Sequence, residues 1–218
     1  MINEGSADYE ERNYTNHWVA LHEAAFHNSI ACVQVLLECG APLRPRTDQG
    51  KTPLELAEEV KSDEAISLLR EYKTPSAQSR RADWLHDQSP FDRTAARQLI
   101  ETTKNGTRNG TFVVRRSSKN PKNYAITLYN DSEFFNYEII RLNESTYYID
   151  DGPFFESLEH LIDHYCRIPD GLPTTLMFSI NPSGQIISSR IQSFSSTKKK
   201  GKCRTEDEVR RKSILFSL

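Results

Sequence analysis

Nine residues, Gly110-Thr111-Phe112-Val113-Val114-Arg115-Arg116-Ser117-Ser118, hold the chain's clearest potential for chemistry. Phe112, Val113 and Val114 favour a strand, and Asn109-Gly110 before them is a turn signal. Two arginines and two serines close the run, and Lys119-Asn120-Pro121-Lys122-Asn123 then reads as a polar loop. Side chains alternate along a strand, so Val113 and Arg115 share one face, and Val114 and Arg116 share the other. One arginine therefore points toward whatever covers its face of the sheet. A guanidinium buried there must find an anion, because an unpaired buried charge is very costly. Its planar fork suits a phosphate or a carboxylate, which accept two parallel bonds. Serine hydroxyls and loop amides could add donors. The same residues also suit a strand whose polar end simply reaches water, and nine residues leave both readings open.

The elements that would position this strand follow from the surrounding pattern. Ahead of it, Asp92 stands as an N-cap, and Ala95, Ala96, Leu99 and Ile100 form one helical face. Behind it, Tyr124 to Tyr129 reads as a strand with a turn at Asn130-Asp131, and Phe134 to Leu142 and Tyr147 to Ile149 continue the sheet. Ser157 to Tyr165 is an amphipathic helix with Leu158, Leu161, Ile162 and Tyr165 on its buried side. Helix, antiparallel meander, helix predicts an α+β unit with the sheet in the middle.

The N-terminal part repeats itself. Leu21 and Leu54, Ala24 and Ala57, Val33 and Ile66, and Leu36 and Leu69 share one offset (54 − 21 = 33 residues). Gly50-Lys51-Thr52-Pro53-Leu54 and Leu36-Leu37-Glu38-Cys39-Gly40-Ala41 stand where an ankyrin repeat has its turn and the end of its second helix. This segment resembles two ankyrin repeats, an all-α pair. About three repeats are needed for such an array to stand alone, so two imply docking on the next domain or a longer array. The expected organisation is a disordered N-terminus over 1–16, two repeats over 17–73, a linker over 74–83, the α+β unit over 84–180, and a disordered basic tail over 181–218. Arg80-Arg81 in the linker reads as a solvated pair.

Composition narrows the function. Across 218 residues the net charge is −2, too weak a field to draw the chain to nucleic acid. No apolar run approaches a membrane span, so stable membrane insertion is not expected. The four cysteines form no CxxC and no metal-like cluster, and no cofactor is implied. His160 and His164 lie one helical turn apart without a third ligand and read as exposed helix residues, so no metal site is assigned.

Trp84-Leu85-His86, Arg93, the Gly110–Arg115 strand, the Ser157-Leu158…Leu161-Ile162…Tyr165 helix and Asp170-Gly171-Leu172, in this order, resemble a Src-homology-2 (SH2) domain. The resemblance implies a central antiparallel sheet flanked by two helices, and binding of phosphotyrosine peptides. It places Arg115 at the floor of the phosphate pocket, Arg93 as a second arginine near phosphate and ring, and Ser117 and Ser118 as hydroxyl and amide donors. Asn136 stands where the family commonly has histidine and can still donate through its amide; Glu138, where many members have lysine, lowers the local positive potential. By the same resemblance Tyr137 shapes recognition just after the phosphotyrosine, and Leu172 lines an apolar socket for a side chain about three positions downstream.

Ankyrin repeats directly before an SH2 domain resemble the Shark-type non-receptor tyrosine kinases. A kinase Gly-rich loop, His-Arg-Asp and Asp-Phe-Gly are not found in this sequence, so no catalytic residues are assigned, and a fragment or truncated form of such a kinase is expected. The expected partner is a tyrosine-phosphorylated receptor tail or adaptor, with a protein ligand of the ankyrin pair as a second. The implied place is the cytoplasm, with recruitment to the inner face of the plasma membrane through phosphorylated receptors. Two alternatives remain: an ankyrin-based scaffold with an idle pocket, and one part of a full-length tyrosine kinase.

Overall fold

The computed structural model describes residues 11–13, 16–88 and 90–189. Four short helices come first: α1 (Ala20–Phe26), α2 (Ile30–Glu38), α3 (Pro53–Val60) and α4 (Asp63–Glu71). α3 starts where Thr52 and Glu55 cap each other. The Thr52 amide donates to Glu55 Oε2 at 2.7 Å, the Glu55 amide donates to Thr52 Oγ1 at 3.4 Å, and Pro53 opens the helix. Ala24, Ala25, Ala57 and Ala65 let the helices approach, and Leu21, Val33, Leu37 and Leu69 fill the layer between them. His22 ties this array together. It is fully buried; its Nδ1 accepts from the Val19 amide at 3.2 Å, and its Nε2 lies 3.2 Å from the Pro45 carbonyl and 3.3 Å from that of Lys51. Two carbonyls at Nε2 place the proton there.

The second unit is a seven-stranded sheet with a helix on each face. Its elements are β1 (Leu85–His86), α5 (Arg93–Thr102), β2 (Thr111–Arg116), β3 (Tyr124–Asn130), β4 (Glu133–Asn143), β5 (Thr146–Ile149), α6 (Leu158–Arg167), β6 (Phe178–Ile180) and β7 (Ile186–Ser188). β2 to β5 form the antiparallel meander, while β1 and β6 lie parallel to β2, giving the order β5-β4-β3-β2-β6-β7. Gly110 turns the chain into β2 at φ +83°, and a Cβ there would meet the Met177 side chain at 2.8 Å. Asp92 caps α5 through the Ala95 amide at 2.9 Å, as the sequence predicts. α5 packs Ala96 and Ile100 on Val113 and Ile180. α6 covers the other face, where Leu158, Leu161, Ile162 and Tyr165 meet Trp84, Phe112, Val114, Ile126 and Ile139.

Four expectations change. The arginine pair of the 74–83 linker is not simply solvated, because the linker runs as an ordered strap along α6: Asp163 accepts from the Gln78 amide at 2.6 Å and from the Ser79 amide at 2.9 Å, and Arg81 pairs with Glu159 at 2.6 Å. His164 is 3% exposed and holds Asp170 at 2.9 Å, while His160 bonds Ser157 and the Pro75 carbonyl, so neither is a free surface histidine. The sheet runs past residue 180: Gly184, at φ +76°, turns the chain so that Ile186 and Ile187 pair with β6. The rest of the basic tail, 190–218, lies outside the described residues. Most of the 1–16 segment also lies outside them, but Arg12 reaches the carbonyls of His17 at 2.9 Å and Arg46 at 3.2 Å.

Two outcomes follow. Burial pushes the His22 imidazole down to about 4, against 6.5 when free, so the unfolded chain binds its proton first. The stability due to neutral His22 is complete above pH 6.5 and is lost as the pH falls toward 4, on the order of 3 kcal/mol; urea melts across that range should show this slope, and His22→Gln should flatten it. Asp163→Asn should lower the unfolding free energy by about 1–3 kcal/mol, because one strap amide loses its acceptor; an unchanged urea midpoint would show the strap to be loose.

Candidate functional site

The register of the sheet assembles the first hollow. Arg115 on β2 pairs with Ala125 on β3, and Ala125 with Glu138 on β4; one row along, Val113, Thr127 and Asn136 align in the same way. Paired residues share a face, so Arg115, Ala125, Thr127, Asn136 and Glu138 all lie on the α5 side. Together with Asp92 and Arg93 from the start of α5, and Ser117, Ser118 and Lys119 from the β2–β3 loop, all of these but Thr127 line a hollow of about 240 Å³ that also touches Tyr137.

Arg115 is the buried charge of this hollow, at 3% exposure. Its Nε donates to Thr127 Oγ1 at 3.3 Å, its Nη1 to the Arg116 carbonyl at 3.2 Å, and its Nη2 to Asn136 Oδ1 at 3.2 Å. All three acceptors are neutral. A guanidinium has five N–H groups, so one on each terminal nitrogen is left over. Burial, and then the nearby Arg93 guanidinium, push its pKa down, with Asp92 opposing them. Desolvation and like charge thus both disfavour the cation, and an anion in the hollow would relieve both. Arg93 is exposed and makes no hydrogen bond or ion pair among the described residues.

The structure departs from the sequence reading at the serine donors. The Ser117 hydroxyl donates to Glu138 Oε1 at 2.8 Å and accepts from the Lys119 and Asn120 amides, and the Ser117 amide is bonded to the Asn123 carbonyl. Ser117 therefore shapes the loop rather than presenting free donors. Ser118 is exposed at the rim. Asn136 turns its oxygen, not its amide N–H₂, toward Arg115, and takes a second bond from the Thr127 hydroxyl at 2.9 Å. Hydrogen bonds from Asn123 and Ser117 hold the Glu138 carboxyl below the usual carboxylate range, so it is anionic near neutrality. Lys119 and Thr127 were missed by sequence reasoning: one looks like any loop lysine and the other like any strand threonine. Arg116, on the other face, stacks over Tyr124 at 4.4 Å and pairs with both oxygens of Asp87.

A second hollow, of about 310 Å³, lies on the α6 side. Tyr137, Ile149, Tyr165 and Leu172 form its apolar wall, and Asp150, Gly152 and Arg12 its rim. Leu172 is 7% exposed and belongs to the main core, so it forms wall rather than lip. Tyr137 touches both hollows. Between them runs the first half of β4, Glu133 to Glu138, which β5 leaves unpaired because it joins β4 only from Ile139 onward. Among the described residues, no group of three or more His, Cys, Asp or Glu could hold a metal.

Known families account for both units. Residues 84–165 match the SH2 domain model, and residues 2–79 match the model for ankyrin repeats (3 copies). The chain thus joins ankyrin repeats to an SH2 domain. It is 36% identical to tyrosine-protein kinase HTK16 of Hydra vulgaris over 85% of its own length and 24% of that protein. It is 33% identical to tyrosine-protein kinase Shark of Drosophila melanogaster, over 81% of this chain and 21% of that one. Mouse tyrosine-protein kinase ABL2 is 31% identical over 49% of this chain and 8% of its own. The chain therefore spans about a quarter or less of these relatives.

Proposed function

We propose that the α5-side hollow takes the phosphate of phosphotyrosine in a peptide lying across the free half of β4, and that the α6-side hollow takes an apolar side chain about three positions downstream. The observation that carries this is a buried arginine with neutral partners only and two N–H groups to spare. Phosphotyrosine brings about −1.5 to −2 charges and three acceptor oxygens. Arg115 grips two of them from the floor, and a floor this deep suits the long arm of tyrosine better than phosphoserine. Arg93 stands beside phosphate and ring, Ser118 and Lys119 close the rim, Ser117 holds the loop, and Asn136 and Thr127 aim the guanidinium. Tyr137 separates the two subsites, and Leu172 walls the second.

The partner is a tyrosine-phosphorylated receptor tail or adaptor, and the ankyrin pair binds a further protein. This chain acts in recognition, not catalysis, in the cytoplasm, and reaches the inner face of the plasma membrane through phosphorylated receptors. Among the described residues no helix is long and apolar enough to cross a membrane. HTK16 and Shark are by name tyrosine-protein kinases, and the kinase activity of such a protein would be steered by this pair of domains.

Titration calorimetry with matched phosphorylated and unphosphorylated tyrosine peptides tests the proposal, and equal binding of the two would end it. Arg115→Leu should cost about 2–5 kcal/mol of phosphopeptide binding, the loss when one member of a close charge pair is removed. Glu138→Gln should instead tighten binding by about 1 kcal/mol, because one like charge near the phosphate is neutralised; weaker binding would show that its hold on Ser117 matters more.

A further inference from the structure

The ankyrin segment reaches the wall of the second hollow. Between α2 and α3 the chain runs Ala41 to Thr47, and Arg46 leaves it toward the SH2 domain. Its Nε donates to the Gly152 carbonyl at 2.7 Å and its Nη2 to the Asp150 carbonyl, more than a hundred positions away. The guanidinium lies over the rings of Tyr148 at 4.5 Å and Phe154 at 4.6 Å. Beside it the Phe154 amide donates to the Arg44 carbonyl at 2.9 Å, a bridge that ties the same two stretches together.

The loop so held is a poor candidate for holding itself. Asp150 sits at φ +42°, a left-handed conformation that costs a non-glycine residue energy. Gly152 is packed so closely that a Cβ would lie 2.8 Å from the Tyr165 hydroxyl and 3.0 Å from the Ile149 carbonyl. Asp150, Gly152, Ile149 and Tyr165 all border the second hollow, and Arg12, bonded to the Arg46 carbonyl, stands at its rim. One guanidinium bridging two carbonyls of a three-residue turn fixes the spacing of that turn, and with it the width of the hollow.

We infer that the ankyrin segment is a specificity element of the phosphopeptide site: Arg46 is a positioning residue that holds the 150–152 wall and so sets how strongly the third residue after the phosphotyrosine is read. This rests on the function proposed above. It makes the two domains one reader, in which the repeats tune the downstream subsite and leave the phosphate subsite alone.

The test uses the full chain and two synthetic phosphotyrosine peptides that differ only in leucine or alanine three residues after the phosphotyrosine. Wild type should prefer the leucine peptide by about tenfold or more, the scale of a filled aliphatic pocket. Arg46→Ala should bring that preference down to about threefold or less, while affinity for the alanine peptide stays within about twofold. Arg46→Lys, which keeps the charge and the stem but cannot span two carbonyls, should behave in the same way and stands in if Arg46→Ala does not fold. A preference that survives both substitutions, or a uniform fall for both peptides, overturns the inference. So does a wild type that binds both peptides equally. Wild type that binds neither peptide overturns the phosphotyrosine reading itself, so the two failures are told apart before any variant is made.

Discussion

A buried guanidinium with no carboxylate against it is the constraint on which the rest of this structure depends. Removing a charge from water is expensive, and three neutral acceptors offset only part of that cost. Arg115 remains in place because β2 lies inside the sheet, clamped by β3 on one side and by β1 and β6 on the other, and because Thr127 and Asn136 are brought opposite it by register alone. The hollow above it stays open because α5 begins at Arg93, beside Arg115, and packs on the sheet further along, where Ala96 and Ile100 meet Val113. The carboxylate that could have neutralised Arg115, Glu138, is held instead by Ser117 and Asn123. The site is left short of negative charge, and the proposed function rests on that deficit.

The two hollows are two consequences of one strand. Successive side chains of β4 point to opposite faces, so Asn136 and Glu138 line the Arg115 hollow while Tyr137 between them faces the other side. Because β5 stops short, the edge that carries these residues is free to meet an extended ligand. A hollow with a buried charge lies on one face and one with an apolar wall on the other, across the width of a single strand.

The two domains are joined more firmly than their order along the chain implies. Two repeats bury too little to be self-sufficient. Here they lean on the SH2 unit through Arg44 and Arg46, and the strap after α4 is fastened to α6 by Asp163, 3% exposed with both oxygens in use. Backbone amides in a strap need acceptors as much as those in a helix do, and a buried carboxylate supplies two.

What could be read from the sequence was whatever repeats over a few residues or lies close along the chain. The offset between Leu21 and Leu54 marked the repeats, the alternation from Val113 to Arg116 put Arg115 and Arg116 on opposite faces, and Asp92 announced the helix it caps. These follow from backbone geometry, which every residue obeys locally. Tertiary structure alone decided the long-range pairings: that Ser117 goes to Glu138 and not to a ligand, that His164 is buried on Asp170, that Ile186 and Ile187 extend the sheet, and that Arg46 crosses to Gly152. A serine, a histidine, a pair of isoleucines or an arginine has the same local signature whether it faces water or a partner. Which of these it faces is set by how distant surfaces pack, and no window of neighbouring residues contains that information.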